Sequence, residues 1–178
     1  MEKETLKKIF DFLEENNNKR KPLMWKLKNN IPITEKDDLI IKGDLDLTKT
    51  DIESLPDGLK VENNLSLYGC KNIQSLPEGL EVGGHLDLGY SNITSLPKGL
   101  KVGGSLSLFD CANITSLPEG LKVGRNLDLG FTKIISLPRG LKVEGFIDLN
   151  GTKLTEYTDD ELRKMIKPGY IKGRIIKV

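Results

Sequence analysis

Residues 86–102 read LDLGYSNITSLPKGLKV, and this stretch contains each part of a motif that recurs along the 178-residue chain. The motif joins a Leu-x-Leu pair, a Ser-Leu-Pro triplet and a Gly-Leu-x-Val segment. The triplet begins at five positions, which are 21, 20, 21 and 20 residues apart: Ser54, Ser75, Ser95, Ser116 and Ser136. Near-identical copies at an almost constant period indicate a repeat architecture, in which each copy is one structural unit.

A period of about 20 residues is too short for two helices but suffices for one strand, a turn and an extended return. The Leu-x-Leu pair places two apolar side chains on one face of a strand. One unit cannot bury that face alone, so the units must stack into a parallel sheet. Pro favours extended backbone before it, and the Gly two positions later permits a turn. The sequence therefore predicts one solenoid with about six parallel strands and mostly extended return strokes.

The motif resembles that of the leucine-rich repeat family, and its Leu-Pro-x-x-Leu segment is similar to a short 20/21-residue class of bacterial and phage repeat proteins. The resemblance covers residues 39–154. It implies an α/β solenoid with a parallel β-sheet, a helical N-terminal cap and a short C-terminal helix. In that family one position of each repeat points inward and hydrogen-bonds the turn backbone. Here that position holds Thr50, Cys70, Ser91, Cys111, Thr132 and Thr152.

The extent of the repeats divides the chain into three segments. We expect a helical N-terminal cap over residues 1–38, the solenoid over residues 39–154, and a C-terminal cap helix with a tail over residues 155–178. A solenoid needs such segments to cover its first and last core layers. Thr158 and Glu161 have the spacing of a capping box, which predicts the start of the C-terminal helix.

The N-terminal segment contains two predicted helices. Residues 2–16 have the apolar spacing of an amphipathic helix, and Pro22 suits the first turn of a second, shorter helix. At the other end of the chain, residues 170–178 are interpreted as a short extended tail.

The composition excludes several classes of protein. With 27 Lys and Arg residues against 26 Asp and Glu residues, the formal net charge is +1, which excludes a globally basic nucleic-acid binder. No stretch approaches the roughly 18 apolar residues of a membrane span. The charged N-terminus is followed by no apolar signal segment. We therefore expect a protein of the cytoplasm, in the producing or the infected cell, with no membrane contact.

Two cysteines and one histidine leave little scope for disulfide or metal chemistry. Cys70 and Cys111 lie two repeats apart, so their strands are expected to be about 9–10 Å apart. That separation exceeds the roughly 7 Å that a disulfide tolerates between Cα atoms. His85 alone cannot form a histidine-rich metal site. The sequence therefore predicts two buried free thiols, no metal and no cofactor.

The outward residues of the Leu-x-Leu strands form columns of similar chemistry. The residue between the paired leucines is an acid in four repeats: Asp46, Asp87, Asp128 and Asp148. Just after the pair come four aromatic residues: Tyr68, Tyr90, Phe109 and Phe131. Aromatic residues are common anchors of protein interfaces, and repeat arrays bind through their sheet face. Together with His85, these residues are the predicted binding site for a protein partner that carries a basic patch.

Two basic surfaces are predicted elsewhere. The return strokes carry a mostly basic ridge, which we interpret as a solvated face: Lys60, Glu81, Lys101, Lys122 and Lys142. Near the N-terminus, a segment without acids contains a basic cluster: Lys19, Arg20, Lys21, Lys26 and Lys28. Such a cluster attracts nucleic acid or another acidic partner. No recognised nucleic-acid fold accompanies it, so nucleic acid is disfavoured.

An enzymatic function is not expected. His85 and Asp87 share a strand face, with Ser66 and Ser107 on the flanking strands, a set that resembles a Ser-His-Asp triad. An open sheet offers neither an oxyanion hole nor a pocket that excludes water.

We interpret the chain as a non-enzymatic protein-binding module, monomeric or weakly homo-oligomeric. Its role would be that of a bacterial or phage adaptor, or of an inhibitor of a host protein. Three alternatives stay open. The chain could associate with nucleic acid through the basic cluster, mimic DNA with its acidic face and so inhibit a nuclease, or self-associate through an exposed terminal strand.

Overall fold

Two parallel β-sheets run side by side along the chain. The computed structural model describes residues 23–29, 33 and 39–177. One sheet, called here the valine sheet, consists of β1 (Ile40–Ile41), β3 (Lys60–Val61), β5 (Glu81–Val82), β7 (Lys101–Val102), β9 (Lys122–Val123), β11 (Lys142–Val143) and β13 (Tyr170–Ile171), in that order. The other, called the leucine sheet, consists of β2 (Leu45–Asp46), β4 (Leu65–Ser66), β6 (Leu86–Asp87), β8 (Leu106–Ser107), β10 (Leu127–Asp128), β12 (Ile147–Asp148) and β14 (Ile175–Ile176).

Each rung of the solenoid passes once through both sheets. Successive strands of the valine sheet begin 20, 21, 20, 21 and 20 residues apart, and the last step, from Lys142 to Tyr170, is 28 residues. Neighbouring strands pair in register, so that Leu86 lies beside Leu65 on one side and Leu106 on the other. The period of the sequence motif is therefore the length of one rung, and the fold is a β-solenoid of five regular rungs followed by a longer one.

The return strokes are more ordered than the sequence predicted. The dipeptide of Lys or Glu followed by Val in each return stroke pairs with its equivalents in the adjacent rungs, as Val102 does with Val82 and Val123. These valines point inward and are buried. Extended segments at the same height in stacked rungs bring their N–H and C=O groups within hydrogen-bonding reach, so a second sheet forms. Because the described residues contain only short helices, the α/β description holds only in part.

The core between the sheets consists of the apolar positions of the repeat. Between residues 86 and 102, six such side chains are buried: Leu86, Leu88, Ile93, Leu96, Leu100 and Val102. Equivalent positions in the other rungs join them in one cluster along the solenoid. Full burial of each side chain contributes about 1.5–3 kcal/mol. Because every rung buries its neighbours, this contribution depends on stacking.

The side chain at the inward polar position bonds to a backbone carbonyl in five of the six rungs, and in the sixth Ser91 Oγ lies 3.7 Å from the Cys111 thiol. Thr132 Oγ1 donates to a carbonyl oxygen three residues earlier at 2.7 Å. The Cys111 thiol donates to the Leu88 carbonyl of the preceding rung at 3.0 Å, and the Cys70 thiol makes the equivalent bond at 2.9 Å. Both cysteines are free and buried, which confirms that prediction. Burial raises the pKa of the Cys111 thiol.

The corners between the two sheets require glycine in the middle rungs. A Cβ atom added at Gly103 would lie 2.2 Å from the carbonyl oxygen of Gly83, and one at Gly124 would lie 2.0 Å from that of Gly103. Real Cβ atoms essentially never come this close to another backbone. Successive rungs therefore touch backbone to backbone at this corner, which leaves no room for a side chain.

A short helix precedes the first rung. Helix α1 (Leu23–Lys28) buries Leu23 and Leu27, which join the core cluster. The predicted helix over residues 2–16 lies outside the described residues.

A second short helix lies within the last, longer rung. After a 3-10 helix (Lys153–Glu156), helix α2 (Asp159–Met165) begins at the predicted capping box. Glu161 N–H donates to Thr158 Oγ1 at 3.3 Å, and Thr158 N–H donates to Glu161 Oε2 at 2.8 Å. Leu162 is fully buried and anchors this helix on the core.

The chain adds a last strand to each sheet after α2. Strand β13 pairs with β11 and strand β14 pairs with β12, so the parallel stacking continues beyond residue 154, where the repeat motif fades. Arg163 of α2 donates to the carbonyl oxygens of Ile171 and Gly173, the latter at 3.1 Å. Its guanidinium thereby satisfies backbone acceptors beside the terminal strand of the valine sheet, at an edge otherwise open to pairing with another chain.

Candidate functional site

Over its first six strands, the outer face of the leucine sheet carries five aspartates and neither lysine nor arginine. Its outward residues flank the first apolar residue of each strand, from residue 44 to residue 148, and include one histidine but no lysine or arginine. The aspartates are Asp44, Asp46, Asp87, Asp128 and Asp148, all exposed or half-buried. The structure therefore brings the predicted acidic residues together on one surface.

Each aspartate between the paired apolar residues also closes the turn that follows its strand. Asp87 Oδ1 accepts from Gly89 N–H at 2.9 Å, and Asp128 Oδ1 accepts from Gly130 N–H at 2.8 Å. Asp148 makes the same bond two residues on, at 2.9 Å. These are Asx turns, which the Asp-x-Gly spacing could have signalled and which the sequence reading missed. Each bond uses one carboxylate oxygen, so the other remains for a ligand.

The acidic column is electrostatically uneven. Burial raises the pKa of Asp128, and the charges of Asp148 and Asp87 raise it further, although the bond from Gly130 opposes them. Asp46 behaves oppositely, because hydrogen bonds from Thr48 lower its pKa. Negative charge is therefore less favourable at Asp128 than at Asp46, and a cation beside Asp128 would relieve it.

Just before the apolar pair, side chains form a hydrogen-bonded ladder between rungs. Asn64 Oδ1 accepts from His85 N–H at 2.7 Å, and His85 Nδ1 accepts from Ser105 N–H at 2.9 Å. Asn126 Oδ1 accepts from Phe146 N–H at 3.1 Å in the same way. The bond at Nδ1 places the proton of the neutral His85 ring on Nε2. The exposed His85 thus ties two rungs together, a role that the sequence reading did not find.

Four aromatic rings form a continuous ladder beside the acidic face. The ring centroids of Tyr68 and Tyr90 are 5.3 Å apart, and those of Tyr90 and Phe109 are 5.5 Å apart. Phe109 and Phe131 follow at 5.4 Å. Tilted and edge-to-face pairs at these separations contribute about 0.5–1.5 kcal/mol each beyond their burial. The four predicted anchors are therefore one connected surface, which we call the aromatic ladder.

The rings reach one line from two alternating sequence positions. In one rung the ring follows the second leucine by one residue, as in Phe109, and in the next rung by two, as in Phe131. Glycines in adjacent rungs make room: a Cβ at Gly130 would lie 3.1 Å from the Phe109 ring, and one at Gly151 would lie 2.6 Å from the Phe131 ring. The ladder therefore depends on glycine and aromatic residues alternating together.

Two of the four rings are held outward by left-handed backbone. Tyr90 and Phe131 both have φ of 58°, at a position where Gly151 has φ of 70°. The equivalent turn position is left-handed in the other rungs as well, at Lys49, Gly69 and Asp110, so this conformation belongs to the repeat. It costs a residue with a Cβ atom roughly 1–2 kcal/mol. Tyr90 is 36% exposed and Phe131 is 50% exposed, whereas Tyr68 and Phe109 are half-buried. The surface of the ladder therefore alternates between raised and recessed rings.

The outer face of the valine sheet carries the predicted basic ridge. Lys101 Nζ lies 2.6 Å from Glu81, and Lys60 Nζ lies 3.6 Å from the same carboxylate. Lys101 and then Lys60 lower the pKa of Glu81. Lys122 and Lys142 continue the row in register on adjacent strands. Part of this basic face is thus neutralised by its own acid.

The predicted basic cluster near the N-terminus is only partly described. Lys19, Arg20 and Lys21 lie outside the described residues. Lys28 is exposed, whereas the side chain of Lys26 is fully buried in α1. Lys26 therefore does not contribute to the surface that this cluster was expected to present.

The residues that resemble a catalytic triad are used for structure. His85 Nδ1 accepts from backbone, and Asp87 Oδ1 closes its own turn. Ser66 Oγ lies 2.7 Å from Thr48 Oγ1 and accepts from a backbone N–H at 3.5 Å. Over residues 39–177, no hydrogen bond joins His85 to Asp87 or Ser66, so the described contacts do not assemble a charge relay.

Metal-ligand clusters and membrane-spanning helices can be assessed for the part of the chain that the structure describes. It contains no group of three or more His, Cys, Asp or Glu side chains placed to hold a metal ion. None of its helices has the length and apolar character needed to cross a bilayer.

Comparison with protein-family models, with curated proteins and with solved structures finds no match for this chain.

Proposed function

We propose that the chain is a non-enzymatic protein-binding module, and that it binds through the outer face of the leucine sheet together with the aromatic ladder. The observation that supports this is the pair of raised rings, Tyr90 and Phe131, which are 36% and 50% exposed. Exposed rings lower solubility. Contact with a partner would account for that cost.

The aromatic rings and the aspartates would contribute to binding in different ways. The rings supply rigid apolar area, which is typical of the residues that dominate binding energy. The aspartates supply charge, which speeds encounter with a basic surface and excludes acidic competitors. A lysine or arginine from the partner would also relieve the crowding of Asp128 by Asp148 and Asp87.

The partner would therefore be a protein with a basic patch, and the module would act as an adaptor or as an inhibitor that covers that patch. The second candidate is an inhibitor that mimics the acidic surface of DNA. It is supported by the same five aspartates and by the absence of lysine and arginine among the outward residues between residues 44 and 148. A mimic of this kind would depend on charge and not on the rings. The two candidates are separated by removing rings and charges independently.

The test uses affinity capture from a lysate of the producing cell with matched variants of the full chain. Tyr90→Gly/Phe131→Gly removes the raised rings at positions whose backbone suits glycine. Asp87→Asn/Asp128→Asn removes two charges but keeps the oxygen that accepts from the turn. Ile135→Ser is the control, because Ile135 is 59% exposed and lies outside the ladder.

We expect a defined set of proteins to be retained by the wild type and Ile135→Ser, and to be lost with either double variant. Retention by all variants would overturn the proposed surface. Loss only with the charge variant, together with inhibition of a nuclease, would favour the DNA mimic. Circular dichroism of each variant shows whether a loss of binding reflects a loss of fold.

A further inference from the structure

The binding surface repeats every two rungs from residue 46 to residue 131. Along the acidic column, Asp46, Asp87 and Asp128 occupy alternate rungs, with Ser66 and Ser107 between them, and Asp148 follows in the rung next to Asp128. The parallel pairing keeps these residues in register. Because neighbouring strands are about 4.8 Å apart, the aspartates recur roughly every 9.6 Å.

The aromatic ladder has the same period and the same phase. Its raised rings, Tyr90 and Phe131, lie in the rungs of Asp87 and Asp128, whereas the recessed ring of Phe109 lies in the rung between. Each rung of this kind therefore presents a carboxylate and a raised ring side by side. A ligand that follows the solenoid axis meets this combination twice, at positions about 9.6 Å apart, whereas the rung of Asp46 has Lys49 in place of the ring.

Among regular peptide conformations, the polyproline II helix fits this period best. It has three residues per turn and rises about 3.1 Å per residue, so equivalent side chains recur about every 9.3 Å. An extended strand repeats its side chains about every 6.8 Å. An α-helix returns to the same face only after seven residues, about 10.5 Å. Prolines in polyproline II conformation also dock into grooves lined by aromatic rings.

The charge of the face selects the side chain at each third position. Between residues 44 and 148 the outward residues of the leucine sheet include five aspartates and no lysine or arginine. Over the described residues, Asp87 and Asp128 form no salt bridge that would compete with a ligand. An arginine or lysine opposite each of them would satisfy the free carboxylate oxygen.

We propose that the leucine-sheet face binds a polyproline II segment with a basic residue at every third position, lying along the solenoid axis. Basic side chains would pair with Asp46, Asp87 and Asp128, and the intervening prolines would lie against Tyr90 and Phe131. This assignment rests on the proposed protein-binding function and specifies the shape and charge of the segment that is bound.

The test measures binding of a fluorescent twelve-residue peptide of four Pro-Pro-Arg repeats to the full chain, by anisotropy at low salt. Three other peptides separate the contributions: Pro-Pro-Ser repeats remove charge, a helical peptide with four arginines on one face changes the conformation, and four Arg-Thr repeats keep four arginines at the two-residue spacing of a strand. We expect the Pro-Pro-Arg peptide to bind at least tenfold more tightly than each of them, because only it matches both period and charge.

The variants locate that binding on the face. Tyr90→Gly/Phe131→Gly and Asp87→Asn/Asp128→Asn should each weaken the Pro-Pro-Arg peptide by at least tenfold, and Ile135→Ser should leave it unchanged. Equal binding of the helical or extended peptide would overturn the proposed conformation, and binding insensitive to both double variants would overturn the site. If no peptide binds but captured proteins still depend on the rings, this inference fails and the protein-binding function stands. If capture also fails to depend on them, both fail.

Discussion

The two sheets of the solenoid share one core but treat charge in opposite ways. On the valine sheet, Glu81 lies between Lys60 and Lys101, so charges are neutralised from rung to rung by side chains of opposite sign. On the leucine sheet, Asp87 and Asp128 accept from the backbone of their own turns and face no base on that surface.

The difference shows which face still has charged side chains that lack a partner of opposite charge. Ion pairs on an exposed sheet leave little for a ligand to gain, because the pairing is already made. Aspartates whose only partners are single N–H groups retain both their charge and a free oxygen. The near-zero net charge of the chain is therefore a sum over unlike surfaces. One face is partly neutralised by its own ion pairs, and the other is acidic.

The largest effect should come from breaking the corner where the two sheets meet. In Gly103→Val, the Cβ atom would lie 2.2 Å from a backbone carbonyl oxygen in the preceding rung. Because neither backbone can move without disrupting pairing in both sheets, we expect a loss of about 4 kcal/mol or more, the level reached by the most damaging substitutions. Urea denaturation followed by circular dichroism measures it.

Gly120→Asn is the control for that substitution. Gly120 has φ of 71° and nothing within 4 Å of an added Cβ atom, and asparagine tolerates left-handed backbone. We expect a loss of about 1 kcal/mol or less. Equal losses in the two variants would show that the close approach between rungs at Gly103 adds no measurable cost, which would contradict the prediction.

A second prediction compares the two sheets through their cores. Leu106 in the leucine sheet and Val102 in the valine sheet are almost completely buried, at 0% and 4% exposure. Leu106→Ala should cost about 2–5 kcal/mol, through lost burial and the cavity that remains. Val102→Ala removes one carbon fewer and should cost about 1–3 kcal/mol, on the basis of roughly 0.8 kcal/mol per buried methylene plus a cavity. A larger loss at Val102 in denaturation curves would contradict this order, which follows from the number of carbons removed.

The third prediction concerns strand β13, the last strand of the valine sheet. Arg163 donates hydrogen bonds to carbonyl groups on its outer edge. Arg163→Met keeps the apolar stem but removes the donors to the carbonyl oxygens of Ile171 and Gly173. We expect a loss of about 1–3 kcal/mol, the usual contribution of hydrogen bonds to a charged group. Light scattering should also detect concentration-dependent association through the exposed edge. A variant that stays monomeric at high concentration would argue against self-association there.

The fourth prediction compares two aspartates of the leucine sheet by their pH dependence. The pKa of Asp128 is raised above 3.8, mainly by burial, so the folded chain binds this proton more tightly than the unfolded chain. Stability from this group falls as the pH rises from 3.8 through the raised pKa. Asp128→Asn should abolish that fall and leave the protein at least as stable at pH 7, because the amide oxygen still accepts from Gly130.

Asp46 should show the opposite sign. Hydrogen bonds from Thr48 lower its pKa below 3.8, so its contribution is present above pH 3.8 and is lost as the pH falls through the lowered pKa. Asp46→Asn should therefore reduce stability at pH 7 and reduce the loss on acidification. Thermal unfolding from pH 2.5 to pH 7 gives the stability of each variant relative to the wild type. If this difference changed with pH in the same direction for both variants, the assignment would be contradicted.

The smallest effect is expected at the centre of the valine sheet. Glu81→Gln removes the charge that pairs with Lys60 and Lys101 on an exposed face, where ion pairs contribute little and are screened by salt. We expect a change in stability within the scatter of a denaturation curve, and a weaker response to added salt than in the wild type. A large loss at high salt would show that the pair contributes more than screening allows.

Much of the fold could be predicted because the signals lie within one repeat. The Leu-x-Leu pair indicated a strand with one buried face, and the Cys70–Cys111 separation indicated thiols too far apart to join. The last strands were missed, although Ile171-Lys172-Gly173 repeats Ile41-Lys42-Gly43 from the first rung. That signal is short, and the 28-residue step placed it outside the period being followed.

The candidate site was predicted as a set of residues but not as an arrangement. The sequence placed Tyr68, Tyr90, Phe109 and Phe131 near one edge of the sheet. It did not predict that rings from two alternating positions would meet in one line, because that depends on which glycine lies beside which ring in the adjacent rung. The hydrogen bond from Ser105 to His85 was missed for the same reason.

The sequence by itself determined the period, the buried positions and the parallel stacking, since regular spacing of apolar residues leaves each unit one way to bury its face. Only the tertiary structure decided how the rungs touch. The second sheet, the glycine corner and the two-rung alternation of raised rings depend on groups about 20 residues apart in sequence, which meet only when the rungs stack. The Arg163 contacts join groups 8 and 10 residues apart, which meet only when the last rung folds back on itself. Contacts of this kind are set by distances across the solenoid, and these are not encoded in any single repeat.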